Sequence, residues 1–492
     1  MKALLSKQDR RQLEFLELLM NHTSLSLSQV KAYTDYPTRT LSSDIRQINA
    51  YIKPARVITS SGGVRLEIPS SISARYIYAQ ILRRSREFKL LIYMFFHEYK
   101  KQDDIALEFF LSISTLRRMI TTLNKGMKER DIKISSAPYM IVGDETAIST
   151  YFFSIFSEID PQLKEISSSN ERKMITALCR KITAEGHFQL NYPRMCRLHI
   201  WVYVRLNRIK NDHHIIDSNN DIERFQTEIV KDEMFCREFL QTFKMKLDKQ
   251  LIFELFFLFL RFGFAKDHEE MECIISCSAP HRALYNKIED LLECIGKDLE
   301  FPLTDTRPLT LELFNILQIT ERPPKVLYSR CRVFSWGFAR ENALTAGIIR
   351  RHIAAIFDIT TDPDETLDLI FYLLVTNWPG LINKLRDSML KLVVGILFDS
   401  DVKHSQFFAD LTERLSQRRL QLVFPTPAEG ALPASVCTGI DLLITNISNL
   451  SVGGSKVICI AAYPTPIDQA RISMEIERIY QQKWRQTNSG RQ

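Results

Sequence analysis

Residues 37–49, Pro37-Thr38-Arg39-Thr40-Leu41-Ser42-Ser43-Asp44-Ile45-Arg46-Gln47-Ile48-Asn49, constrain the fold more than any other stretch. As a helix they place Leu41, Ile45, Ile48 and Ile52 on one face, at spacings of four, three and four. The opposite face carries Thr38, Arg39, Ser42, Arg46, Gln47 and Asn49. Such short or basic, donor-rich side chains reach phosphates and base edges in a major groove. A helix over 9–20 and a short one over 27–34 precede this segment. Pro37 suits the start of the third. Two β-rich runs, 56–59 and 64–68, then flank Ser60-Ser61-Gly62-Gly63, a turn that makes them a hairpin. That order spells a winged helix-turn-helix.

The pattern recurs. A strongly apolar helix over 88–99 and a short one over 104–110 lead into 111–124, where Leu116, Ile120 and Leu123 repeat the earlier spacing. Residues 132–135 and 139–142 flank a Ser136-Ala137-Pro138 turn, a second wing. Charge is uneven in the same sense. Residues 1–130 hold 22 Lys/Arg against 12 Asp/Glu, although the net charge of the 492-residue chain is only +7. A basic amino-terminal end on a near-neutral body points to nucleic acid. The groove-facing candidates are Thr38, Arg39, Thr40, Ser42, Ser43, Arg46 and Gln47, with Arg65 on the wing. In the second copy they are Thr115, Arg117, Arg118 and Lys125.

From about 145 to 400 the chain reads as amphipathic helices, with prolines marking a boundary near 285–305. The tail, from about Ser405, changes character. Short apolar runs at 420–424, 440–445 and 456–460 alternate with helical segments, the pattern of a small α/β domain on a parallel sheet. The expected fold is mainly α and multidomain: winged helices over 1–69 and 70–145, helical bundles over 146–285 and 286–402, and an α/β domain over 403–492.

Nine cysteines, an odd number, and an amino terminus that turns charged at once suggest reduced thiols in the cytoplasm. The apolar run 251–260 contains Glu254 and is too short to span a bilayer, so no membrane contact is expected. Cys273, Cys277 and His281 fall at i, i+4 and i+8, but Pro280 interrupts that helix; neither a metal nor a cofactor is expected. No Walker loop, GxSxG or HExxH occurs, and no enzymatic activity is expected.

The segments 38–49 and 114–124, the block His199-Ile200-Trp201-Val202-Tyr203-Val204-Arg205-Leu206-Asn207-Arg208-Ile209 and the order of parts resemble the Mga/AtxA family of virulence regulators of Gram-positive bacteria. The resemblance covers essentially the whole chain. It implies a homodimeric DNA-binding transcription regulator, an activator, acting on double-stranded DNA. It also implies that the bundles are phosphotransferase-regulation domains (PRDs). Such domains are phosphorylated on histidine by the phosphocarrier protein of the sugar phosphotransferase system. His199 is the first candidate acceptor, with Arg205 and Arg208 near enough in sequence to hold a phosphate; its other reading is a satisfied core histidine. His268 is the second candidate, and His352 has no clear PRD context. The tail resembles an EIIB component but lacks a cysteine after Leu422-Val423-Phe424, so it reads as a structural or dimerisation module. The rival readings are a PRD-containing RNA-binding antiterminator and a helical interaction scaffold. Two helix-turn-helix units at the start disfavour the first.

Overall fold

The computed structural model describes residues 1–34, 36–60, 62–136, 138–186, 192–216, 221–319, 326–360, 364–388, 391–416, 420–425, 439–450 and 455–489. The chain is mainly helical, with two hairpins and one four-stranded sheet among the described residues. It divides into two compact units, Met1–Thr376 and Asn377–Gln492.

The larger unit opens with two copies of one motif. In the first, α1 (Lys7–Met20), α2 (Leu27–Thr34) and α3 (Thr38–Tyr51) precede β1 (Arg56–Ser60) and β2 (Gly63–Glu67). The Ser6 side chain accepts from the Asp9 amide and starts α1, satisfying one of its orphan donors. Leu13, Phe15, Leu16 and Leu19 face inward from α1, and Leu41, Ile48 and Ile52 meet them from α3 and its end. Each such side chain contributes about 1.5–3 kcal/mol on burial. β1 and β2 are antiparallel, and Leu25 adds a third rung by exchanging both backbone bonds with Val64, at 3.0 and 2.7 Å. That close approach requires glycine at position 63: φ is +111° and a Cβ would lie 2.4 Å from the Leu25 carbonyl oxygen.

After α4 (Ala74–Arg84) the motif repeats as α5 (Arg86–Phe96), α6 (Gln102–Glu108), α7 (Ile113–Met127), β3 (Lys133–Ser136) and β4 (Tyr139–Val142). Lys100 bridges Tyr139 as Leu25 bridges Val64. Leu116, Ile120, Leu123 and Met127 form the inner stripe of α7. The helical body then follows. Its first part is α8 (Glu145–Ile159), α9 (Ser169–Ala184), α10 (Tyr192–Ile209), α11 (Asp221–Arg224) and α12 (Glu233–Phe243). It continues with α13 (Lys249–Leu255), α14 (Phe257–Leu260), α15 (His268–Cys277) and α16 (Ala279–Asp298). It ends with α17 (Arg307–Ile319), α18 (Arg330–Glu341), α19 (Ala343–Ile356) and α20 (Glu365–Asn377). The apolar run at 251–260 is two helices, broken at Phe256, rather than one. α16 passes residue 285 without interruption.

The smaller unit holds α21 (Leu381–Ser388), β5 (Leu392–Leu397), α22 (Val402–Leu415), β6 (Leu420–Val423), β7 (Leu442–Thr445), β8 (Lys456–Cys459) and α23 (Pro466–Ser489). All strands are parallel, in the order β6-β5-β7-β8. Its central strand, β5, lies in the stretch that sequence patterning assigns to the helical series. A run of six apolar residues buried on both faces has no alternation to mark it as a strand. The turn after this first strand reads Phe398-Asp399-Ser400-Asp401 and holds no cysteine. Cys437 lies outside the described residues.

Candidate nucleic-acid interface

α3 and α7 present the two surfaces to which the basic patterning points. On α3, Arg39, Ser42, Ser43 and Arg46 are exposed along one stripe at helical spacing, while Thr40 is half-buried. The Thr38 side chain lies outside the described residues. Gln47 is turned inward: its carbonyl oxygen accepts from Gln12 Nε2 at 3.0 Å and from Arg84 Nη2 at 3.3 Å. Asp44 is buried beside it and receives Arg11 Nε at 2.6 Å, Arg11 Nη2 at 2.9 Å and Gln12 Nε2 at 2.9 Å. Arg65 is exposed on the wing, paired with Glu67 at 2.7 Å. Arg65 and Arg56 hold the Glu67 carboxyl below its ordinary range.

On α7, Arg117, Arg118 and Lys125 are exposed on one stripe with Ser114, Thr121 and Thr122. Thr115 is half-buried, its hydroxyl 2.8 Å from that of Ser112, the N-cap residue. Arg117 Nε also donates to Gln102 Oε1 at the start of α6, at 3.2 Å.

Each recognition helix is fixed to its wing in the same way. Asn49 donates to the Val57 carbonyl at 2.9 Å and accepts from the Val57 amide at 2.7 Å. Asn124, 75 positions later in sequence, donates to the Ile134 carbonyl at 3.0 Å and accepts from the Ile134 amide at 2.7 Å. Helical periodicity places Asn49 among the outward donors; in the structure it is a clamp. The signal lay in its recurrence at Asn124.

The turn between α6 and α7 departs from the usual chemistry. The Phe110 amide bonds to the Leu107 carbonyl and the Leu111 amide to the Ala106 carbonyl, the bond pair of a Schellman helix end. Such an end takes glycine at its left-handed residue. Here Phe110 occupies it at φ +51°, 94% exposed, a conformation that costs a side-chain-bearing residue about 1–2 kcal/mol.

The histidine candidates sit elsewhere. His199, on α10, is half-buried, and its Nε2 has no hydrogen-bond partner among the described residues. Burial, then the charge of Arg180, lowers its pKa and keeps the ring neutral. Arg205 and Arg208 do not face it. Six and nine residues further along a helix, they lie about 120° and 180° around the axis. They are buried among carboxylates instead. Arg208 Nη1 donates to Glu98 at 2.6 Å, Nε to Glu145 at 3.0 Å and Nη2 to the Ile141 carbonyl at 3.3 Å. Arg205 reaches Ser149 at 3.0 Å and Glu145 at 3.1 Å, and lies 3.5 Å from Glu254. His213 Nε2 is 2.6 Å from Glu98 Oε2, and His214 Nδ1 is 3.0 Å from Glu254 Oε1. This network ties the second winged helix to the helical body. His268, the first residue of α15, also has an Nε2 without a partner among the described residues. Cys273 and Cys277 are on α15, whereas Pro280 and His281 belong to α16. Among the described residues, no three His, Cys, Asp or Glu side chains are grouped to hold a metal ion. No helix among them is long and apolar enough to cross a membrane.

Residues 70–156, which contain α4, the whole second winged helix and most of α8, match the family model described as "Mga helix-turn-helix domain". The second winged helix is thus similar to the Mga helix-turn-helix domain. A protein of Streptococcus pneumoniae serotype 4 (strain ATCC BAA-334 / TIGR4), described as "Putative trans-acting regulator", is similar over nearly the full length. It is 23% identical over 464 residues, 91% of this chain and 93% of its own. The Mga match falls on the module whose turn carries Phe110.

Proposed function

We propose that this chain is a Mga-type transcription activator that binds double-stranded DNA as a homodimer, through both winged helices. The observation that carries the reading is the duplicated scaffold with an outward basic stripe on each recognition helix: Arg39 and Arg46 on α3, Arg117, Arg118 and Lys125 on α7. A helix held by a clamped wing at one end and a short helix at the other presents its stripe to a major groove. Arg39, Ser42, Ser43 and Arg46 read base edges, and Arg65 holds backbone from the wing. Arg117, Arg118 and Lys125 position the second module.

The body is read as two PRD-like bundles meeting around α16, with His199 and His268 as acceptors for the phosphocarrier protein. Each has a buried ring nitrogen without a partner among the described residues, so phosphoryl transfer requires a local opening, and the neutral His199 ring is the nucleophilic form. Arg180, not Arg205 or Arg208, is the nearby cation. The EIIB-like tail, with no cysteine after its first strand, serves self-association.

The deciding experiment is a gel-shift titration of the full chain with duplex DNA and with RNA over a salt series. Duplex affinity should fall linearly with log salt as phosphate contacts release counterions. Preference for RNA would favour an antiterminator, and no binding to either a protein scaffold. Labelling from the charged phosphocarrier should fail in a His199→Ala, His268→Ala protein.

A further inference from the structure

Phe110, Ile113 and Leu107 form an exposed apolar patch at the entrance of the second recognition helix, with exposures of 94%, 41% and 75%. Two observations on Phe110 are independent. Its ring has almost no contact with the rest of the chain, and its backbone occupies the left-handed position that a Schellman end reserves for glycine. A bulky residue kept both strained and exposed has its use outside the chain. The first module has Asp35 at the equivalent sequence position, so its sequence offers no phenyl ring there.

What it meets follows from continuity. Ile113 is the first residue of α7 and lies on the same outer stripe as Ser114, Arg117, Arg118 and Thr121. A helix whose amino-terminal turns enter the groove carries Ile113 and Phe110 in first. The cations on that stripe match a polyanion. Asp103, Asp104 and Glu108 on α6 keep that helix off the phosphates, which confines the contact to the turn and the start of α7. In the major groove, the apolar feature available to a phenyl ring is the C5-methyl of thymine.

We propose that Phe110, supported by Ile113, reads thymine methyl groups, so that the second module selects sequence by apolar contact and not only by phosphate charge. This rests on the reading that α7 enters DNA.

The test uses the full chain and a duplex that it selects from a random-sequence pool. Replacing thymine by deoxyuridine, one position at a time, removes single methyl groups. The natural chain should lose about fourfold in affinity at one or two positions, the loss expected for one buried methyl group. Phe110→Gly should lose affinity for the thymine duplex, become indifferent to deoxyuridine at those positions, and gain thermal stability because glycine suits the turn. A merely structural role would move affinity and stability in the same direction. Arg117→Ala with Arg118→Ala separates the two levels. If that pair weakens binding while Phe110→Gly and deoxyuridine change nothing, α7 binds DNA and the methyl reading is overturned. If Phe110→Gly leaves DNA affinity intact but abolishes activation, the patch docks a protein and the proposal is overturned. If the arginine pair has no effect, the reading of α7 falls and this inference with it.

Discussion

The two winged helices share a backbone plan and differ in how the recognition helix is held. In the first, two of the inward positions of α3 are polar: Asp44 and Gln47 engage Arg11, Gln12 and Arg84. In the second, the residues 75 positions later are Met119, buried in the core, and Thr122, exposed. α3 is thus oriented by directional hydrogen bonds, one from α4, whereas α7 is seated by apolar packing. The outer faces differ in the opposite sense: serines and arginines on α3, an apolar entrance on α7. One scaffold tolerates both solutions because the element common to them, the asparagine clamp on the wing, is independent of either.

Attachment to the helical body gives the sharpest contrast and the largest expected effect. The second module is joined through Glu98 and the Ile141 carbonyl to Arg208, itself buried. Arg208→Met removes the cation and leaves Glu98 and Glu145 without their principal counter-charge, a loss of about 3–5 kcal/mol. Chemical denaturation should show it. Arg84→Met, at the end of α4 against the first module, leaves Gln12 and Gln47 to bond with each other and with water, because Arg84 is one-third exposed. It should cost about 1 kcal/mol or less. Equal losses would erase the contrast.

The first module's neighbourhood has a titratable element of its own. Glu158, on α8, is buried; one carboxyl oxygen accepts from the Leu327 amide at 2.9 Å and the other has no hydrogen-bond partner among the described residues. Desolvation raises its pKa to about 7, and its field reaches Tyr78 on α4. The folded state therefore holds this proton more tightly than the unfolded chain. The stabilisation is complete below the ordinary carboxyl pKa and disappears as pH rises through about 7, roughly 3 kcal/mol in total. Glu158→Gln should flatten the fall in melting temperature between pH 5 and pH 8. An unchanged slope would mean that the carboxyl is hydrated and ordinary.

Much of this comparison can be read from sequence. The apolar stripes at Leu41, Ile45, Ile48 and at Leu116, Ile120, Leu123, the Gly-Gly turn of the first wing, and the parallel sheet of the tail all follow from period and turn chemistry. The inward side of α3 cannot be read that way. A helical wheel gives a polar residue to solvent unless a partner is known, and the partners of Asp44 and Gln47 come from α1 and α4. Arg205 and Arg208 defeat a sequence reading for a related reason: closeness in sequence to His199 says nothing about the face. β5 escapes because a short, fully apolar run carries no period.

DNA recognition should divide along the same line. Arg39→Ala and Arg46→Ala should each cost about 1–3 kcal/mol and relax preference at particular base positions, if they bond base edges. Arg117→Ala and Arg118→Ala should weaken binding to all duplexes alike and lower the salt slope by about one unit for each phosphate that is no longer neutralised. Binding measured against a panel of single-base variants tells the two behaviours apart. Base-specific losses from the second pair would place direct readout by charge in both modules.

The smallest effect tests what the modules share. Asn49 and Asn124 each bond both backbone groups of one strand residue, Val57 and Ile134, from a half-buried position. Alanine at either site leaves a strand amide and carbonyl short of partners, at a cost of about 1–2 kcal/mol. Aspartate keeps the acceptor for the amide but puts an anionic oxygen against the carbonyl, so it should recover none of that loss. Glutamine keeps both groups on a longer arm and should recover part of it. Hydrogen exchange at the Val57 and Ile134 amides reports each clamp without interference from the other. If the clamp is the common skeleton, Asn49→Ala and Asn124→Ala should speed their own amide by similar factors and leave the other module's unchanged. A larger response at Val57 would mean that the polar interior of the first module depends on its wing. The apolar seat of α7 would then be the sturdier way to hold a recognition helix.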